Sequence, residues 1–442
     1  MTRIAIVGAG GYEFPLTLVS DFLSYDSMRD AQIVLMDPDP SALARVERLA
    51  RQIVGAHRLP ATVVATTELA PALTGADFVV TCFQVGGREA YALDVEIPRR
   101  YGVDQTVGDT LGPGGVFRGL RSMRALEDIT AGMRAHCPDA LLMNYTNPMS
   151  INTGFAASMG VRTIGICHSV HHTTQALAAI LGLEPGTWSF RAAGINHQAW
   201  VIEFRHRGRD VMPQLRAAVR EYNQGRREPN VPADEWDALY MGNREEVRTQ
   251  IMDLVGYFQT ESSHHASEYY PHFRRSPGAT ARVLPDRWDY LAITSLGTDA
   301  DQQRLADELS SRPLVASEEQ AAVIANAMLT GVPAVVYGNV PNTGLITNLP
   351  GGACVEVPVL VDGSGIQPTV VGDLPTTAAS QNLASIGLQL CTLEAYRTGS
   401  RDPVYAAVAL DRLTGALLSL VEIRAMVDEM FEAERRWLPD LR

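Results

Sequence analysis

RIAIVGAGG, residues 3–11, is the stretch on which the fold turns. Arg3 to Val7 reads as a short apolar strand. The chain then passes through Gly8-Ala9-Gly10-Gly11 into a helical stretch from Leu16 to Leu23. Glycine at 8 and 10 permits a tight turn and a close approach of backbone to a pyrophosphate, and the helix behind offers free N–H groups. The third position of the usual fingerprint holds Glu13, so Gly8, Gly10 and Gly11 alone fit a structural turn as well as a dinucleotide loop. Asp37 strengthens the second reading. It ends the next strand, Ile33 to Met36, where a carboxylate accepts ribose hydroxyls and repels a 2′-phosphate, favouring NAD over NADP. Its alternative role is a helix cap before Pro38, which Asp39 or Ser41 can also fill.

Outward from there, Phe78 to Cys82, Leu141 to Asn144 and Thr163 to Cys167 are further buried strands. Strands alternating with helices over about 170 residues predict an α/β fold with a parallel, doubly wound sheet. Residues 189–210 alternate like antiparallel strands, 234–259 and 299–331 read as helices, 341–374 as strands and tight loops, and 377–438 as helices. The expected organisation is a Rossmann-like NAD-binding domain over residues 1–190, then an α+β domain over 191–442 for substrate, metal and oligomer contacts.

Composition removes whole classes of chemistry. The 442 residues include 37 basic ones, every one arginine, against 50 acidic ones, for a net charge of −13. Without lysine there is no Schiff base, pyridoxal anchor or P-loop lysine. The acidic excess disfavours nucleic acid and other polyanions. Five scattered cysteines without a CxxC pair predict a reducing compartment. With no apolar run near the ~18 residues of a membrane span and no signal-peptide pattern, the expectation is a soluble, cytoplasmic protein.

Histidines crowd the middle of the chain: His168, His171, His172, His197, His264, His265 and His272. Cys167-His168 ends a predicted strand and Asn196-His197 lies in GINHQAW at another strand edge. A thiolate and an imidazole converging from such segments can hold a divalent cation with positions left open. A buried cysteine and a satisfied core histidine explain the same residues. His171 and His172 read as lining the following helix, and His264 and His265 as loop surface. Three polar segments ask for a pocket: GDTLGPGG (108–115), followed by the arginines from Arg118 to Arg124; NYTNP (144–148), whose asparagines suit a nicotinamide or sugar hydroxyls; and ESSHHASEYYPHFRR (261–275).

Together, IAIVGAGG, VGG (85–87), GDTLGPGG, NYTNPM, CHSV (167–170), AGINH (193–197), ESSHHASEYYPHF, NLPGGACVEVP (348–358) and DRLTGALLS span essentially the full chain. In these motifs the sequence resembles glycoside hydrolase family 4, NAD- and divalent-metal-dependent glycosidases related in fold to lactate and malate dehydrogenases. The resemblance implies a Rossmann-like sheet domain followed by a dehydrogenase-type α+β domain, and CHSV looks like the α-galactosidase branch. It implies NAD as transient acceptor of the sugar C3 hydride. Mn²⁺ or another divalent cation would sit on Cys167 and His197. Tyr269, with Tyr270 as its rival, would take the C2 proton, and His168 would assist the leaving group, before elimination and water addition complete hydrolysis. Gly8, Gly10, Gly11, Asp37, Asn144 and Asn147 are expected at the cofactor, and Asn147, Asn196, Arg118 and Arg275 at the substrate. Tyr91 stands where phosphosugar members carry an arginine, which favours an unphosphorylated substrate. The expected activity is α-galactosidase on a small glycoside. An α-galacturonidase, other uronidase or α-glucosidase is the alternative, with a C6 carboxylate drawing on Arg118, Arg274 or Arg275; a 2-hydroxy acid dehydrogenase is the remote one. A homodimer or homotetramer is expected.

Overall fold

The computed structural model describes residues 1–12, 14–231, 245–286, 289–294 and 297–442. Glu13 and residues 234–244 of the expected 234–259 helix lie outside the described residues. Thirteen strands among the described residues form one sheet. They are β1 (Arg3–Val7), β2 (Gln32–Met36), β3 (Thr62–Thr66), β4 (Phe78–Thr81), β5 (Leu141–Asn144), β6 (Arg162–Ile166), β7 (Trp188–Ile195), β8 (Gln198–His206), β9 (Arg209–Asp210), β10 (Phe258–Gln259), β11 (Ala334–Pro341), β12 (Cys354–Asp362) and β13 (Gly365–Pro368).

The parallel portion runs β3-β2-β1-β4-β5-β6, the strand order of a doubly wound dinucleotide fold. β4 and β5 are buried at every residue, as expected of short apolar strands covered on both faces. Register aligns their carboxyl ends: Val7 pairs with Met36 and Thr81, Thr81 with Asn144, and Asn144 with Gly165. The segments after these strands, which begin with Gly8, Asp37, Cys82, Tyr145 and Cys167, therefore emerge along one edge.

Beyond β6 the sheet turns antiparallel. β11 pairs with β6, β12 with β11, β7 with β12, and β8 with β7. Strands from the second half of the chain thus extend the first half's sheet, and the boundary expected at 190/191 falls inside β7. The β7–β8 hairpin closes with Ile195 opposite Gln198, so Asn196-His197 is a two-residue turn. His197 has φ +62°, the left-handed value such a turn demands, although it is not glycine.

The GDTLGPGG segment is half loop and half helix. Leu111 is the N-cap of the helix Gly112–His136, and a Cβ on Gly114 would lie 2.4 Å from the Gly108 carbonyl oxygen. The glycines there permit close packing of that helix on its own leading loop. Helices Thr376–Thr398, Asp402–Leu410, Arg412–Leu417 and Leu420–Glu434 complete the second half. No helix among the described residues is long and apolar enough to cross a membrane.

Candidate active site

The glycine loop is built by contacts that tolerate no side chain. Gly8 has φ +92°, and a Cβ there would meet Phe83 Cβ at 2.6 Å, while one on Gly10 would meet Asp37 Cγ at 2.7 Å. A Cβ on Gly11 would make only ordinary van der Waals contact, with the Gly8 and Cys82 carbonyl oxygens at 3.6 and 4.0 Å. Gly10 N–H donates to Asp37 Oδ2 (2.8 Å) and Asp39 N–H to Oδ1 (2.9 Å). The helix cap falls to Asp39, which accepts from Ser41 and Ala42 and leaves Asp37 at the loop. The following helix, Pro15–Ser24, has no side-chain cap, so no capping side chain takes up its first N–H groups. This cradle fits a dinucleotide.

Beside it, at the β6 end, Cys167 and His197 meet: Sγ lies 3.4 Å from Nε2, both residues are buried, and Ser169 N–H donates to the sulfur at 3.5 Å. Ligand atoms of Cys167, His197 and Glu261 lie within 4.8 Å of one another, as do those of Asp109, His197 and His265. A thiol, an imidazole and a carboxylate form a donor set suited to a divalent cation. The tautomer of His197 follows from its other side. Thr110 Oγ donates to Asp109 Oδ1 (2.7 Å), so its oxygen accepts from His197 Nδ1–H (2.9 Å), leaving the Nε2 lone pair toward Cys167 and Glu261. Burial pushes the Cys167 thiol up to about 11; a coordinated cation would deprotonate it outright. Glu261 shares the left-handed backbone of His197, with φ +77°. Burial opposes its charge, but His197, His265 and His168 outweigh that and hold it well below the usual carboxylate range. Asp109 is likewise held low, because Arg118, His265 and His197 overcome its burial.

Tyr269 completes the cluster. Its hydroxyl lies 2.9 Å from His265 Nε2, and His265 Nδ1 lies 3.7 Å from Glu261 Oε1, an arrangement in which the phenol donates to an imidazole oriented by a carboxylate. Burial, then Glu268, Asp109 and Glu261, push the phenol well above its ordinary value. Tyr270 points elsewhere, donating to Gln259 Oε1 (3.0 Å) under the Arg412 guanidinium. His264 and His265 are 1% and 3% exposed, correcting the expectation of loop surface. Glu268 places them by accepting from Thr106, Val107 and Gly108 N–H, which ties segment 261–275 to the loop that carries Asp109 and Thr110.

The other expected residues divide. Asn147 donates to Asp109 Oδ2 (3.0 Å), while its Oδ1 is buried without a partner. Arg118 donates to the Asn147 carbonyl through Nε, rests over the Tyr91 ring, and keeps a buried, unpartnered Nη1. Asn196 Oδ1 is also buried and unpartnered. Such orphaned atoms beside the cluster are what a polyhydroxylated ligand would satisfy. Asn144 differs: fully buried, it accepts from Thr81 and Thr146 and donates to Thr146 and Thr153, so it fixes the NYTNP turn rather than offering a free group. Arg275 is exposed and makes none of these contacts, and Arg274 is buried against Ser267, Asp104 and Thr106. Tyr91 donates to the Val107 carbonyl (2.6 Å) and supports Arg118.

His168 is the N-cap residue of the helix Ser169–Leu181, and its ring packs against that of His172 with centroids 4.4 Å apart and planes tilted by 35°. Burial lowers its value, but Glu319, 3.5 Å from Nδ1, and Cys167 more than restore it, and the net shift is upward. Sequence reasoning marked the segments holding Asp109, Thr110 and Glu261 without naming those residues, and it named His265 only as loop surface. Glu319 carried no signal, lying in an unremarkable SEEQ run.

The chain is 34% identical over 449 residues to an alpha-galactosidase of Bacillus subtilis (strain 168), covering 100% of both chains. It is 36% identical over 453 residues to an alpha-galactosidase of Rhizobium meliloti (strain 1021), covering 99% of this chain and 89% of that one. The fold matches the crystal structure of a 6-phospho-alpha-glucosidase from gut microorganisms in complex with NAD and Mn²⁺, with a TM-score of 0.82, 21% identity and full coverage of both chains. Residues 3–183 match the family 4 glycosyl hydrolases and residues 192–414 their C-terminal domain, and the chain belongs to that family of glycoside hydrolases.

Proposed function

We propose that the protein is an α-galactosidase acting on a small, unphosphorylated glycoside with NAD and a divalent cation, Mn²⁺ foremost. The observation that carries this reading is the convergence, at the carboxyl edge of the parallel strands, of the Cys167–His197–Glu261 donor set with the Tyr269–His265 pair. When bound, NAD supplies a reversible hydride acceptor for the sugar C3 and the cation supplies Lewis acidity toward the sugar oxygens.

The chain's own residues then have distinct tasks. Gly8, Gly10, Gly11 and Asp37 seat the dinucleotide, while Cys167, His197 and Glu261 hold the cation. Tyr269 takes the C2 proton. As it does so, its own hydroxyl proton passes to His265, and Glu261 stabilises the resulting imidazolium. Asn147, Asn196 and Arg118 meet sugar hydroxyls with their unsatisfied atoms. His168, with 39% of its side chain exposed beside Cys167, faces the leaving group. Thiol ligation and five free cysteines suit a reducing cytoplasm, and the chain acts as a homodimer or homotetramer.

Arg118 favours one second reading. Its unpaired Nη1 suits a C6 carboxylate, which would make the substrate an α-galacturonide. Hydrolysis of nitrophenyl α-galactoside and α-galacturonide, with NAD⁺, Mn²⁺ and a thiol reductant, separates the two. Turnover in D₂O should place deuterium at C2 of the product sugar; unlabelled product would refute C2 deprotonation.

A further inference from the structure

Arg45 stands in the helix Pro40–Ala56, just beyond Asp37, and reaches the glycine loop. Gly10 is held from both sides: its N–H donates to Asp37 Oδ2 (2.8 Å) and its carbonyl accepts from Arg45 Nη2 (3.2 Å). A carboxylate and a guanidinium therefore flank the same residue, at the end of the loop where a dinucleotide ribose is read. A guanidinium in that place is the group that would welcome a 2′-phosphate.

Here each of its three nitrogens has a partner. Arg45 Nε donates to Gln302 Oε1 (2.7 Å), Nη1 pairs with Asp299 Oδ1 (3.2 Å), and the guanidinium lies 4.6 Å over the Tyr12 ring. Tyr12 OH donates to the same Asp299 oxygen (2.9 Å), and Gln302 Nε2 donates to the Gly11 carbonyl (2.8 Å). Asp299 and Gln302 belong to the helix Asp299–Ser311, so the far half of the chain holds the dinucleotide loop in shape and neutralises its nearest cation.

We propose that Asp299, acting through Arg45, is a specificity-determining residue that keeps a 2′-phosphorylated dinucleotide out. The inference rests on the NAD reading above. Asp37 supplies repulsion of a 2′-phosphate and Asp299 removes the compensating attraction. Gln302 keeps Arg45 aligned along the loop rather than turned outward.

Calorimetric titration of NAD⁺ and NADP⁺, the latter also by competition, into the full chain tests this without turnover. The variants are Asp299→Asn, Arg45→Leu and the double substitution. Asp299 is 71% exposed at its side chain, so Asp299→Asn should fold normally. It should tighten NADP⁺ by about five-fold, the size of one exposed ion pair, with NAD⁺ changed less than about two-fold. The gain should vanish in the double variant. NADP⁺ affinity in Asp299→Asn within about two-fold of wild type, or a gain that survives Arg45→Leu, would overturn the proposal. A wild-type chain that binds neither dinucleotide would instead refute the cofactor reading, and this inference with it.

Discussion

Thr110→Val should weaken cation binding without touching a ligand. The Thr110 hydroxyl donates to Asp109 and accepts from His197 Nδ1–H, at 2.7 and 2.9 Å, and Thr110 is 3% exposed. Valine preserves the shape and removes the acceptor. In the cation-free variant, His197 escapes an unsatisfied buried N–H by moving its proton to Nε2, toward Glu261 Oε2 at 3.7 Å. Coordination needs that lone pair, so the proton must return to an unpartnered Nδ1, at a cost of about 1–3 kcal/mol. That range corresponds to roughly 5- to 150-fold weaker Mn²⁺ binding, in keeping with other residues that orient a ligating histidine. Calorimetric titration of Mn²⁺ reads the loss directly. Activity should recover at saturating Mn²⁺, and Thr110→Ser should bind as wild type does. A Thr110→Val chain that binds Mn²⁺ within about two-fold of wild type would show that Thr110 does not set the tautomer.

Tyr269→Phe should lower kcat by about 10²- to 10⁴-fold with NAD⁺ affinity unchanged, while Tyr270→Phe, whose hydroxyl serves Gln259, should cost less than about ten-fold; steady-state kinetics and titration distinguish them. Gly10→Ala should abolish measurable NAD⁺ binding while the chain stays folded by circular dichroism, because its Cβ would sit 2.7 Å from Asp37 Cγ and 2.9 Å from Ala42 Cβ. Asp21 is held up to about 6 by burial, although Ser317 donates to it from both N–H and Oγ. The folded chain then keeps a proton that the unfolded chain has lost, so this group's stabilisation is complete at low pH and declines as pH rises from about 4 to 6. Asp21→Asn should flatten the fall in Tm across that window, and an unchanged slope would refute the assignment.

The sequence by itself determined what depends on neighbours along the chain. Apolar runs of four or five residues marked β1, β2, β4, β5 and β6, because strands buried on both faces need no alternation. Glycines 8 and 10 marked the loop, because a Cβ at either position would lie within 2.7 Å of another group. The same local reading picked out the segments holding Cys167, His197 and Tyr269, since polar residues at strand ends lack a packing role. Only the tertiary structure decided what those residues do to one another. Whether His197 meets Cys167 depends on a hairpin turn brought beside β6 by two strands, β11 and β12, from more than 130 residues further along the chain. Asn144 and Asn147 look alike in NYTNP, yet one is saturated by Thr81, Thr146 and Thr153 and the other keeps a free oxygen. Arg118, Arg274 and Arg275 are equal as letters, but one is left with an unpaired N–H, one is spent on the loop at Asp104 and Thr106, and one is in solvent. Hydrogen-bond saturation, burial and ligand distance are sums over atoms far apart in sequence, so no local pattern carries them. For the same reason the grip of Asp299 and Gln302 on Arg45 and the glycine loop became visible only once the chain had folded.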